Sequence, residues 1–337
     1  MTTSPTPAAP TLAPILSIRD LTKHFHVGGG FLRRNAGTVK AVDGVSFDVR
    51  RGETLGIVGE SGCGKSTLAR TLLRLETPNA GTVTFEGQDI FSPEALASRS
   101  LRRRIQVVFQ DPFAALSPRM TIFDVLTEPL RIHRDVLPER DWPQRVHDLL
   151  ARVGLRPEFA TRFPHEFSGG QLQRIGIARA LVLEPELIIL DEPVSALDVS
   201  IQAQVVNLLE EVQQEFGVAY ICISHDLSII RHISDRIAVM YLGEIVEIGD
   251  CDDVYDTPAH PYTKALLSAE PEIRLDGAAR EQILLKGEVP SPLNPPSGCR
   301  FRTRCWKAQD KCREIPPRVT VAPGNRTVQC HFPVTED

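Results

Sequence analysis

No apolar run in this 337-residue chain approaches the roughly 18 to 20 residues that a helix needs to cross a bilayer. A membrane span of its own is therefore not expected. The amino terminus also lacks the cationic and hydrophobic stretches of a secretory signal, so the chain is expected to stay on the cytosolic side. Basic charge is not in excess: 38 Lys and Arg stand against 43 Asp and Glu, a net charge of −5. That balance argues against a nucleic-acid partner held by bulk electrostatics, and Arg102 to Arg104 reads as a solvated helix end. No two cysteines stand at the C-x-x-C spacing of common zinc modules. The length allows a large core, in two domains or in one with appendages, and Met1 to Pro14, rich in Pro, Thr and Ala, is expected to be disordered.

What is present centres on Gly59 to Thr67, GESGCGKST, which satisfies the phosphate-loop pattern G-x-x-x-x-G-K-[ST]. It follows Thr54 to Val58, read as a buried strand, and precedes Leu68 to Leu75, read as a helix, the context the pattern requires. Gly59, Gly62 and Gly64 let successive backbone N–H groups turn toward one anion, at a helix N-terminus whose dipole adds positive potential. Ser61 and Cys63 complete the loop, Cys63 in a slot for a small packing residue. A polyphosphate fits that concavity. Lys65 supplies a point charge for its β- and γ-phosphates, Ser66 a hydroxyl for Mg²⁺, and Thr67 a further phosphate-facing donor.

Ahead of the loop, Ile15–Arg19, Val39–Val42 and Val45–Val49 alternate as strands of an antiparallel layer, with an exposed hairpin insertion marked by Gly28–Gly30 and Asn35–Gly37. Phe25 has two readings, a ring stacked on adenine or an ordinary core aromatic. Beyond the loop, Thr82–Glu86 and Ile105–Phe109 read as strands, the second ending at Gln110. From Phe113 to Phe167 the pattern turns helical and is broken by prolines, a helical insertion in an α/β domain, with helices over Val125–Ile132 and Gln144–Val153. Phe167-Ser168-Gly169-Gly170-Gln171 then opens a helix over Leu172–Val182, with Ser168 as its cap and the glycines leaving N–H groups open at a second phosphate-seeking helix end.

Leu187–Leu190 is a continuous apolar run, as in a central parallel strand, and it delivers Asp191 and Glu192 to the sheet edge where such folds bind ligands. Asp191 suits Mg²⁺ held through water, and Glu192 suits a base that orients the attacking water. Tyr220–Ser224 brings His225 to the same edge, within the range of a γ-phosphate. Ile237–Leu242 and Glu244–Ile248 read as a hairpin about Gly243.

Taken together, these elements stand in the order and spacing of ABC-type ATPases, and the chain closely resembles the ATP-binding subunits of dipeptide and oligopeptide importers, above all the F-type subunits of dipeptide importers. The stretches that carry the branch resemblance are Gln110–Arg119, Arg162–Gly170, His260–Ala269 and Gly287–Arg302, so that likeness covers about Ile15 to Phe332. Phe163 stands where tyrosine is more usual, and Phe167 where leucine is.

The resemblance implies a P-loop ABC ATPase domain over 15–255, a RecA-like core with an antiparallel β layer and a helical subdomain over about 113–167, then a C-terminal extension over 256–337. It implies ATP with Mg²⁺ as cofactors, Gln110 joining Mg²⁺ to the attacking water, and Phe113–Leu130 receiving a membrane subunit. It also implies a working pair of cassettes, a heterodimer in which each ATP lies between one subunit's phosphate loop and the other's Ser168 helix end. Two permease subunits and an extracytoplasmic peptide-binding protein complete the implied complex, with this chain peripheral at the cytoplasmic face. Two other readings stand beside it: the same machine with nickel or glutathione as cargo, and a soluble ABC ATPase acting on DNA or ribosomes.

Cys299, Cys305, Cys312 and Cys330 crowd the tail. Members of the resembling family can carry a [4Fe–4S] cluster there, and irregularly spaced thiolates suit one. The cluster therefore ranks ahead of structural thiols, and those ahead of zinc, with the role of stapling a Pro-rich, core-poor appendage.

Overall fold

The computed structural model describes residues 13–28, 37–270, 282–323 and 326–334. The expected disordered leader, up to residue 12, and the interior of the expected hairpin insertion, 29–36, lie outside the described residues.

Two long strands, β1 (Leu16–Val27) and β2 (Gly37–Val49), pair antiparallel ahead of β3 (Thr54–Val58). The sequence suggests separate strands at Val39 and Val45, but they form one. The interruption is a set of register shifts between Ile18 and His24, with left-handed backbone at Asp20 and Gly44. With β4 (Ala80–Phe85) and β5 (Gln88–Asp89) these strands make a four-stranded layer in the order β2-β1-β4-β5.

The remaining strands are β6 (Ile105–Val108), β7 (Leu187–Asp191), β8 (Ala219–Ile223), β9 (Arg236–Tyr241), β10 (Glu244–Asp250), β11 (Val319–Ala322) and β12 (Arg326–Gln329). Together with β3 they form one sheet in the order β11-β12-β10-β9-β3-β8-β7-β6, parallel from β9 through β6 and antiparallel beyond β9. The parallel strands are apolar throughout because both faces are covered. Ile188, Leu190, Tyr220, Cys222 and Val239 point into the helical side, while Leu187, Ile189, Ile221, Ile223 and Ala238 pack against the antiparallel layer. Burying each such Leu, Ile or Val contributes about 1.5–3 kcal/mol. The turn between β9 and β10 places Leu242 and Gly243 both at positive φ, the backbone a tight two-residue hairpin requires.

The helical insertion contains helices Ile122–Ile132 and Trp142–Arg152, each close to its expected span. Arg104 ends a short helix as expected, but it is not merely solvated: it stacks on Phe85, its centre 4.7 Å from the ring, and pairs with Glu86 and Glu186.

The extension departs from the expectation of a core-poor appendage. Its hairpin β11–β12 continues the main sheet by pairing with β10, which covers an edge that would otherwise be open. Its Phe301, 1% exposed, lies edge-on to Tyr241 at 5.3 Å and tilted against Tyr262 at 5.4 Å between ring centres.

Candidate functional site

At two glycines of the loop after β3, neighbouring backbone leaves no room for a side chain. A Cβ on Gly64 (φ +114°) would lie 2.0 Å from the Ala41 carbonyl oxygen, and one on Gly59 would lie 2.2 Å from that of Met240. Helix Lys65–Leu72 starts directly from Gly64 with no side-chain cap, so its first N–H groups face outward with the loop. Lys65 is buried, and its ammonium donates to the carbonyl oxygens of Gly59 (2.6 Å) and Glu60 (3.2 Å). Cys63 is buried beneath the loop, and burial pushes its thiol pKa up, so it packs rather than reacts.

Above the loop lies a cavity of about 770 Å³, lined on the loop side by Ser61, Gly62, Gly64, Lys65, Ser66 and Thr67. Gln110, Glu192 and His225 arrive from the ends of three neighbouring strands to form its opposite wall. There Gln110 Nε2 donates to one Glu192 carboxylate oxygen at 2.6 Å, and His225 Nδ1 lies 3.2 Å from the other. Glu192 has φ +49°, a left-handed backbone held by its N–H donating to the Ile223 carbonyl at 2.8 Å. Asp191 does not line the cavity; burial, then the Glu192 charge, raises its pKa.

Phe25 closes the far side of the cavity and is only partly buried, with the Lys23 ammonium 4.8 Å from its ring centre, so it is not a core aromatic. Val39, Ala41 and Pro292 also line the cavity and were not picked out from the sequence. Val39 comes there as the cross-strand partner of Phe25, a register that only the structure shows.

Ser168, Gly169, Gly170 and Gln171 stand apart from this cavity. They open helix Gly169–Leu181 with reciprocal capping: Gln171 N–H donates to Ser168 Oγ at 3.4 Å, and Ser168 N–H donates to Gln171 Oε1 at 3.1 Å. Gly170 is there for packing as well, because a Cβ would lie 2.4 Å from Ile201 Cγ2 on the neighbouring helix.

The four tail cysteines do converge, lining one small cavity with His260 and His331. The iron–sulfur expectation is nonetheless not supported. Among the described residues no group of three or more His, Cys, Asp or Glu is arranged to hold a metal ion. The cavity they line is small, about 10 Å³. Burial pushes the thiol of Cys299 up to about 12 and that of Cys330 up to about 11.

A sequence profile described as ABC transporter matches residues 42–195, and one described as oligopeptide/dipeptide transporter, C-terminal region, matches 246–312. AppF of Bacillus subtilis, an oligopeptide transport ATP-binding protein, is 57% identical over 94% of this chain and 97% of its own length. The chain belongs to the ABC transporter family. OppF of Salmonella typhimurium, another oligopeptide transport ATP-binding protein, is 54% identical over 90% of this ABC protein and 92% of its own. Among solved structures, cbiO1 of Clostridium perfringens, part of an ABC transporter complex, superposes with a TM-score of 0.61 at 30% identity, covering 72% of this chain and 91% of its own. The ATP-binding cassette MJ0796, solved as a post-hydrolysis dimer with ADP and phosphate, gives a TM-score of 0.61 at 26% identity, covering 70% and 98%. This ABC protein accordingly has the P-loop ATPase fold, binds ATP and is an ABC-type ATPase. No helix among its described residues is long and apolar enough to cross a membrane.

Proposed function

We propose that this chain is the ATP-hydrolysing subunit that powers import of short peptides through an ABC transporter at the cytoplasmic face of the membrane. The observation that carries the ATPase half is one cavity in which Lys65 and Ser66 face Glu192, Gln110 and His225. Its phosphate side is the glycine loop with Lys65, Ser66 and Thr67, and its other side is a carboxylate contacted by both Gln110 and His225. In this reading the loop orients the phosphates, Glu192 holds and activates the attacking water, His225 contacts the γ-phosphate, and Phe25 stacks on the base. Ser66, Gln110 and, through water, Asp191 offer only oxygen donors, which fits Mg²⁺; that ion would offset phosphate charge.

Residues 15–255 form the ATPase domain in this reading and 256–337 the extension. The cargo half rests on the relatives named for oligopeptide transport and on the match of the extension to their C-terminal region. The separation of Ser168–Gln171 from the cavity supports a head-to-tail pair with a second cassette, whose signature helix would close this site. Two permease subunits, one docking near Phe113, which is 58% exposed, and an extracytoplasmic peptide-binding protein complete the assembly.

The deciding experiment reconstitutes the subunit with its permeases and partner cassette in liposomes and adds binding protein with di- and oligopeptides. Peptide-stimulated ATP turnover with uptake is the expected result. Stimulation by a nickel chelate or glutathione alone would reassign the cargo, and failure to assemble with permeases would overturn the transporter reading.

A further inference from the structure

The phosphate loop carries an acid that its task does not call for. Glu60 is the second residue of the loop, and a carboxylate beside a polyphosphate site repels the ligand the loop is built to hold. It is not left bare. Arg304, in the C-terminal extension 244 residues away, forks onto both of its oxygens, Nη1 to Oε2 at 2.7 Å and Nη2 to Oε1 at 3.0 Å. The pair is largely withdrawn from water, with 9% of the Arg304 side chain exposed and 27% of that of Glu60. The Glu60 N–H is fixed as well, donating to the Tyr262 hydroxyl at 2.9 Å.

Arg304 is presented by the tight turn between Cys299 and Cys305, where Arg302 N–H donates to the Cys299 carbonyl (3.1 Å) and Arg304 N–H to that of Phe301 (3.0 Å). Glu60 and Arg304 lie beside the cavity rather than in its lining, and a second contact brings the extension to the lining itself. Pro292 lines the cavity beside Phe25, and the Lys40 N–H donates to the Pro292 carbonyl at 3.2 Å.

We propose that the C-terminal extension is a working part of the nucleotide site, with Arg304 as the positioning residue that neutralises Glu60 and thereby sets the affinity of the loop for ATP. The proposal rests on the ATP-site reading above. Hydrogen bonding to Glu60 raises the already high pKa of Arg304, so the neutralising charge is constant across the physiological range. A bidentate, partly desolvated pair of this kind cancels charge more completely than a surface ion pair does.

The test is equilibrium ATP binding to the full chain by calorimetry, with Lys65→Ala as the variant that removes the site. Arg304→Gln is expected to weaken ATP binding about tenfold, the factor that 1.4 kcal/mol carries. Adding Glu60→Gln to it removes the exposed charge and restores affinity to within about twofold of the parent. A brace that acted only by shape would not be rescued in this way. Parental affinity in Arg304→Gln, or a double variant as weak as the single one, overturns the proposal. Should Arg304→Gln fail to fold, Glu60→Gln alone decides: binding at least as tight as the parent supports charge compensation, and weaker binding overturns it. A parent chain whose ATP binding is absent, or insensitive to Lys65→Ala, overturns the site reading and the proposal with it.

Discussion

Glu192 combines two features that rarely coincide by accident, a left-handed backbone at a strand end and a side chain held from both sides by Gln110 and His225. Backbone of that kind costs about 1–3 kcal/mol and persists where the surroundings enforce it. Glu192→Gln keeps the shape and removes the base. It should lower ATP turnover in the assembled complex by about 10²–10⁴-fold while ATP binding is retained, as measured by steady-state hydrolysis beside nucleotide titration. Parental turnover would assign the base elsewhere. At this scale the sequence was most legible where the site is contiguous. Gly59 to Thr67 is one covalent stretch, so spacing alone determines what its backbone can do. Pro292 reaches the cavity, and Arg304 reaches Glu60 of the loop, only through the fold, and nothing local to them signals it.

Between elements, the glycine at 170 and the branched side chain at 201 set how closely their helices approach. Gly170→Ala should destabilise the chain by about 1–3 kcal/mol through overpacking, and Ile201→Ala in the same chain should recover part of that loss in a denaturant melt. A second joint is ionic. Arg51 and Arg104 tie Glu86, at the end of β4, to Glu186, at the start of β7, and so fasten the antiparallel layer to the main sheet. Glu186 is held below its ordinary pKa by the Arg104 hydrogen bond, which outweighs partial burial. A depressed carboxylate contributes stability above its unfolded pKa and loses it as pH falls through the folded one. Glu186→Gln should therefore cost up to about 1 kcal/mol near neutral pH, and the difference from the parent should vanish on acidification below the ordinary carboxylate range. A pH-independent difference in melts would show that the pairing is not electrostatic. The parallel strands were legible because apolar runs of that length at that spacing have few other uses. The β11–β12 hairpin was not, since Val319 and Val321 are 62% and 83% exposed and so carry no burial pattern to read.

Across the whole molecule, the ties that bind the extension into the core include the sheet edge at β12, the aromatic group around Phe301, and the buried Arg300, which pairs with Asp43 and with Glu244. Phe301→Ala should cost about 3–5 kcal/mol in a denaturant melt, the loss expected for a buried aromatic in a shared core. A negligible cost would mean the extension folds as a separate body. The bond between Arg300 and Asp43 spans 257 residues. At about 5–20 residues per second, a ribosome takes about 13 to 50 seconds to make that interval. For that time Asp43 has no Arg300 to pair with, and the phosphate loop, once made, waits for Arg304. A nascent chain thus carries the nucleotide loop well before it carries the tail residues that contact it.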